Sequence, residues 1–159
     1  MRLARRSTDG RMRARAGGDA GSASLEFLTA GLLLLVPLVY LVLVVSSVQA
    51  GSLGVEGAAR QASRVFVQAA TEAEARAAAE RAIRVTLADY GVDASRAQLA
   101  ISCRPHPADC LERRGYVTLE LAAVVPLPLA PPVLGLDVAL AVPVRAVATE
   151  QVSRFRAGP

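Results

Sequence analysis

Tryptophan and lysine are absent from the chain, histidine occurs once, cysteine twice, and tyrosine and phenylalanine three times each. With aromatics at 4%, the 53% hydrophobic content falls to Ala, Val and Leu, which favours helix and membrane over a dense enzyme core. A single His106 would confine any Ser-His-Asp arrangement to a short proline-bracketed loop. There is no Gly-rich phosphate loop and no HExxH, and Asp89, Asp93 and Asp137 are scattered as turn residues are. The chain is therefore expected to have no enzymatic activity, no cofactor, no bound metal and no small-molecule substrate. The lack of lysine beside 18 arginines reads as a codon skew without chemical content.

The 159 residues suffice for one modest domain, and a mean hydropathy of +0.38 excludes a disordered chain. The formal charge of +4 resembles a nucleic-acid signal until it is placed along the sequence. Arg2, Arg5, Arg6, Arg11, Arg13 and Arg15 stand against only Asp9 and Asp19 in residues 1–21, which hold the whole excess. The remainder is neutral. Phosphate recognition needs a basic patch on a folded face, whereas a basic arm ahead of an apolar run sets membrane topology. No nucleic-acid partner is expected.

Between Glu26 and Glu56 there is no charge, and Phe27 to Val45 is almost wholly apolar. A helix from Phe27 to Ala50 would rise roughly 36 Å, enough to cross a hydrocarbon core of about 30 Å with some tilt. The positive-inside rule leaves the basic arm in the cytoplasm and exports the chain beyond Ala50. The expectation is a single-pass protein of the cell membrane, in contact with lipid. Pro37 lies mid-run, where a membrane helix tolerates it as a kink. An alternative is a signal peptide cut after Val48-Gln49-Ala50, releasing a secreted binding domain. The apolar run exceeds the roughly 7 to 15 residues of a secretory core, which weighs against it. Arg5-Arg6 is too far from the run, and Ser7-Thr8-Asp9 too poor a flank, for a twin-arginine signal.

At the head of the run stands Gly21-Ser22-Ala23-Ser24-Leu25-Glu26-Phe27. A carboxylate at the bilayer edge asks for a partner, although a nearby helix N-terminus would by itself favour negative charge. Gly, four residues and Glu, placed after a basic leader and before an apolar helix, resemble the prepilin-peptidase site of type IV pilins and pseudopilins. Of these groups the chain looks most like the TadE-like pseudopilins of tight-adherence (Flp) pilus assembly. The likeness rests on Ser22 to Phe27 with the apolar continuation, and extends loosely to Gly57-Ala58-Ala59-Arg60 and a small β-rich C-terminal part.

The resemblance implies cleavage between Gly21 and Ser22 by a prepilin peptidase. It makes Glu26 the fifth mature residue, neutralising the free amine of a neighbouring subunit. Other pseudopilins or pilus assembly proteins become the expected partners. Ser22 stands where many pilins have Phe, a departure that bears on N-methylation and on major-pilin behaviour. Major Flp pilins are also much shorter, so the resemblance points to a minor, accessory role.

The expected organisation is a basic leader over residues 1–21, a transmembrane helix over 22–50, an Ala-rich exported helical region over 51–91 and a small β-rich domain over 97–159. Ala50, Gly54, Ala58 and Ala62 fall on one helix face, where small residues let another backbone approach. That stripe either docks partner helices, or its neighbouring glycines simply loosen the helix leaving the bilayer. Thr71-Glu72-Ala73-Glu74 has the form of a capping box and Gly91 of a C-terminal stop. Ala78, Ala82, Val85, Leu87 and Tyr90 would then face inward, and Arg76, Glu80, Arg81 and Arg84 water.

Strands are expected over Gln98–Cys103, Tyr116–Val125 and Asp137–Thr149, the second with Val117, Leu119 and Leu121 inward. Pro126 to Gly135 is a stiff connection, and Pro143 favours an edge strand or a bulge. The fold class is thus α+β, a long N-terminal helix followed by a small antiparallel sheet on the pilin plan. For an exported loop, Cys103 and Cys110 pair naturally as a disulfide, contributing roughly 2.5 kcal/mol in the chain-entropy model. A metal site of the two cysteines, His106 and Asp109 is the competing reading. It lacks the second histidine common in zinc sites.

Overall fold

The structure is a computed structural model that describes residues 20–128 and 141–156, with side chains from Ser24 onward. The leader up to Asp19, most of the proline-rich connection, and Asp137 with the expected start of the third strand lie outside the described residues. The chain divides into two units, residues 1–40 and 41–159.

Among the described residues helix α1 runs Ala20–Gln68 and α2 Glu72–Asp89, a short 3-10 turn spans Ala94–Arg96, and the strands are β1 Gln98–Arg104, β2 Tyr116–Pro126 and β3 Ala141–Gln151. The architecture is α+β, with an antiparallel sheet in the order β1-β2-β3. In the first unit, α1 presents apolar side chains that nothing in the unit covers, including Leu28, Leu33 and Val36. All of the core belongs to the second unit.

There α1 does not stop at Ala50 but continues unbroken to Gln68. The glycines do not loosen it. A methyl group added at Gly51 would lie 2.7 Å from Cγ1 of Val125 on β2, and one at Gly54 would lie 2.6 Å from Cγ of Tyr90 at the end of α2. Both distances are far below a van der Waals contact, so only glycine lets α1 come this close to sheet and helix. Val55, Ala58, Ala59, Ala62 and Phe66 continue the buried face. Ser63, the buried polar residue among them, donates its hydroxyl to the Arg60 carbonyl at 2.9 Å.

Helix α2 begins as its sequence dictates: the Thr71 side chain accepts from the Glu74 amide at 3.2 Å. Glu74 reaches back to the amide of Ala70, one residue earlier than in the usual reciprocal box. At the other end Gly91 adopts φ +67°. The amide of Val92 donates to Leu87 O at 2.9 Å and that of Gly91 to Ala88 O at 3.0 Å, the paired bonds of a Schellman motif. Leu87 and Val92, both buried, supply its apolar contact.

The inward face of α2 differs from expectation. Ala75, Ala79, Ile83 and Leu87 are buried, whereas Val85 and Tyr90 are exposed and Ala78 and Ala82 half-buried. The four buried positions recur every four residues, a narrower stripe that alanines suit because α2 packs close to a glycine- and alanine-rich helix.

In the sheet Leu119 is paired between Ile101 and Ala148, and Leu121 between Leu99 and Ala146, so one face carries the core. Val117, Leu119 and Leu121 are fully buried, as their alternation requires. Pro143 lies opposite Val124 on the edge strand β3, facing away from the core. Phe66, Leu87, Leu119 and Leu121 are the bulkiest fully buried side chains, each stabilising by about 1.5 to 3 kcal/mol through burial.

Replacing Gly51 by leucine must displace Val125, and the expected cost is about 1–3 kcal/mol of overpacking. Denaturant unfolding of the detergent-solubilised chain measures it. Gly31→Leu, where an added Cβ meets nothing within 4 Å, is the matched control and should leave the midpoint in place.

Candidate membrane and assembly surfaces

Helix α1 is long and apolar enough to cross a membrane, and none of its most apolar stretch is buried. Phe27 is 78% exposed and Leu34 74%, exposure that water penalises and lipid does not. Two hydroxyls of the charge-free stretch bond the helix's own backbone. Thr29 donates to Leu25 O at 2.7 Å and Ser47 to Leu43 O at 2.9 Å, so neither needs water. The helix also continues through Pro37, whose missing N–H leaves the carbonyl one turn back without its usual donor.

Gly21 and Ser22 lie in the backbone of the first turn of α1. Glu26 is exposed beyond that turn, and among the described residues its carboxylate has no ion-pair partner. Within α1 as described from Ala20, Glu26 is the seventh residue, past the first turn, where a helix terminus favours negative charge most.

The small-residue stripe is taken up within the chain. Gly54, Ala58 and Ala62 are buried, Gly54 beneath Tyr90, and only Ala50 is exposed. Its last three members therefore serve internal packing and are not free to dock a partner helix. The spacing of the stripe signalled close approach correctly. Whether the approaching element came from the same chain was beyond a local pattern.

Cys103 and Cys110 form a disulfide, both half-cystines buried. Their bond removes the free thiolates that the metal reading needed, and among the described residues no cluster of three metal-ligating side chains occurs. The loop they close is tied down twice more. The Cys110 amide donates to Glu72 at the start of α2, at 2.8 Å, and His106 Nδ1 pairs with Glu112 Oε2 at 2.5 Å.

Arg113 and Arg114 stand near Arg154 and the 80% exposed Phe155, with the Arg154 guanidinium 4.5 Å from the Phe155 ring centre. Arg156 donates to Val67 O in the last turn of α1 at 3.5 Å and to Ala70 O, two residues past the helix, at 2.6 Å. This basic, aromatic tip is hidden in the linear sequence because its residues lie some forty positions apart. The pairing of Tyr116 with Gln151 brings them together. Comparison with known proteins finds no matching family model, no matching curated protein and no matching solved structure.

The hydrogen bond to Glu112, then the charge of the same carboxylate, hold the His106 pKa above its ordinary value. Since the folded value is the higher one, the pair's contribution to holding the loop is complete below the unfolded pKa of about 6.5 and disappears as pH rises through the raised value. Titration of the His106 ring protons by NMR should give a midpoint above that of a free histidine. Glu112→Gln should return it toward the ordinary value, and an unchanged midpoint would exclude Glu112 as the cause.

Proposed function

We propose that this chain is a TadE-like pseudopilin, a minor pilin-like membrane protein that acts by assembly in a tight-adherence pilus or a related secretion apparatus. The observation that carries the reading is Glu26: an exposed carboxylate without a described ion-pair partner, five residues after Gly21, heading a helix that bears no other charge until Glu56. In this reading the basic leader is cytoplasmic, the apolar part of α1 crosses the membrane once, and the α/β unit is extracytoplasmic. A prepilin peptidase hydrolyses the Gly21–Ser22 bond. The new Ser22 amine of one subunit then meets the Glu26 carboxylate of another. At 4 Å and an effective dielectric near 20 such a pair is worth about 4 kcal/mol. Apolar helix contacts in lipid lack a hydrophobic driving force, so this charge pair sets the register of assembly.

The disulfide-pinned loop and the arginine tip are the surfaces the exported unit then offers to other assembly proteins. Release of a secreted domain after Ala50 is less well supported. The apolar run from Phe27 to Val45 is longer than the roughly 7 to 15 residues of a secretory core.

Intact mass and terminal sequencing of protein from its native membrane should give Ser22 as the first residue, and Gly21→Leu should abolish that cut. A mature terminus at Gly51, or an uncut chain, contradicts the proposal. Glu26→Ala should leave membrane insertion intact while reducing co-purification with partner pseudopilins. Undiminished recovery would remove the assembly role from Glu26.

A further inference from the structure

We infer that the cleft formed by Arg113, Arg114, Arg154 and Phe155 is a carboxylate-binding site that takes a short acidic segment of a partner protein, one with an apolar side chain beside its carboxylates. The site gives a chemistry to the surface offered to assembly proteins above, and only the partner's place in that apparatus rests on that reading.

Two segments that the fold holds side by side build the cleft. The Arg114 amide donates to Val152 O at 3.1 Å and the Val152 amide to Gly115 O at 2.9 Å. Gln151 Nε2 adds a bond to Arg114 O at 3.3 Å. Val152 is buried, so the stretch that carries Arg154 and Phe155 starts from the core. Beyond them Arg156 is tied to Val67 and Ala70. The backbones bearing the arginines are thus set before any ligand arrives, which lowers the ordering cost of binding.

Arg114 occupies a position that glycine would fill with less strain. Its φ is 64°, in the left-handed region that a Cβ disfavours. What arginine adds to this turn is a guanidinium at the cleft.

The charges there are not neutralised from within. Arg113, Arg114 and Arg154 are exposed, and among the described residues none of the three meets a carboxylate. Glu112, next to Arg113 in the chain, is engaged by His106. The three arginines line one open cleft of about 490 Å³, so they repel one another until an anion enters. Each offers a planar fork of N–H donors that matches the two oxygens of a carboxylate. The Arg154 guanidinium lies 4.5 Å from the centre of the Phe155 ring, a cation–π contact that steadies its plane. The ring itself is 80% exposed and sets an apolar face beside the charges. Arginine and aromatic side chains together are what dominates the affinity of many protein interfaces.

Size and surroundings select a short peptide over a longer polyanion. A cleft of this volume receives a few side chains. Glu112 stands one residue before Arg113 and Glu150 four before Arg154, carboxylates that an extended phosphate backbone would meet on leaving the arginines. The chain beyond residue 21 is neutral overall and has no excess of arginine for a broad basic face. One exposed ring also falls short of the successive stacking platforms used for single-stranded nucleic acid.

The full chain in a nonionic detergent is titrated against a rhodamine-labelled peptide of alternating glutamate and leucine, with binding read by fluorescence anisotropy. A peptide with glutamine in place of glutamate is the control. The glutamate peptide should bind saturably and the glutamine peptide should not. Arg114→Gly and Arg154→Gln should each weaken binding roughly tenfold or more, while Arg84→Gln, on the exposed side of α2, leaves it unchanged. Arg114→Gly suits the backbone at φ 64°, so its unfolding midpoint should hold or rise, and lost binding in that variant is not lost folding. Failure of the glutamate peptide to bind overturns the site, as do equal binding of the glutamine peptide, full binding by Arg114→Gly and Arg154→Gln, or an equal loss in Arg84→Gln. Tighter binding of a single-stranded oligonucleotide or of phosphatidylglycerol vesicles overturns it in favour of phosphate. A mature terminus at Ser22 without peptide binding removes this site and leaves the pseudopilin reading, whereas peptide binding by a chain that is never cut keeps the site and removes that reading.

Discussion

The α/β unit depends on how closely the backbone of α1 can be approached. Gly51 and Gly54 leave no Cβ between the helix and the side chains of Val125 and Tyr90, and the alanines beyond them keep the gap narrow as far as Phe66. A core with so few aromatic residues cannot span a wide space between layers. It reaches interior density by drawing the layers together. The narrow stripe on α2 arises from the same economy of volume, as does the use of alanine at Ala146 and Ala148 on β3.

Around that contact the polar groups are satisfied locally. Thr71 and Glu74 cap α2 at its start, the Gly91 turn closes its end, and Arg156 returns from beyond β3 to bond the Val67 carbonyl in the last turn of α1 and the Ala70 carbonyl just past it. The disulfide loop is tied to the first turn of α2 through Glu72 and the Cys110 amide. These ties join segments that are far apart in the chain, which gives a small three-stranded sheet the support it would lack alone. Among the described residues, the side-chain bonds of the charge-free part of α1 are those of Thr29 and Ser47 to its own backbone.

For the proposed assembly role this division is functional. A helix headed by the Glu26 carboxylate supplies attachment and register, while a compact unit supplies a surface for recognition.

Much of this was legible in the chain. The charge-free run, the capping box at Thr71, the turn at Gly91, the inward alternation of Val117, Leu119 and Leu121, the edge placement of Pro143 and the Cys103–Cys110 pair all derive from properties of single segments: hydropathy, local hydrogen bonding and periodicity. What the segments could not determine was which surface meets which. The stripe at Gly54, Ala58 and Ala62 promised a close neighbour without naming it, and the face of α2 was misjudged by about one position because tertiary contact, not composition, selects among near-equivalent alanine faces. The arginine tip exists only once β2 lies antiparallel to β3. Local energetics determined the elements, and the volume available between them decided their partners.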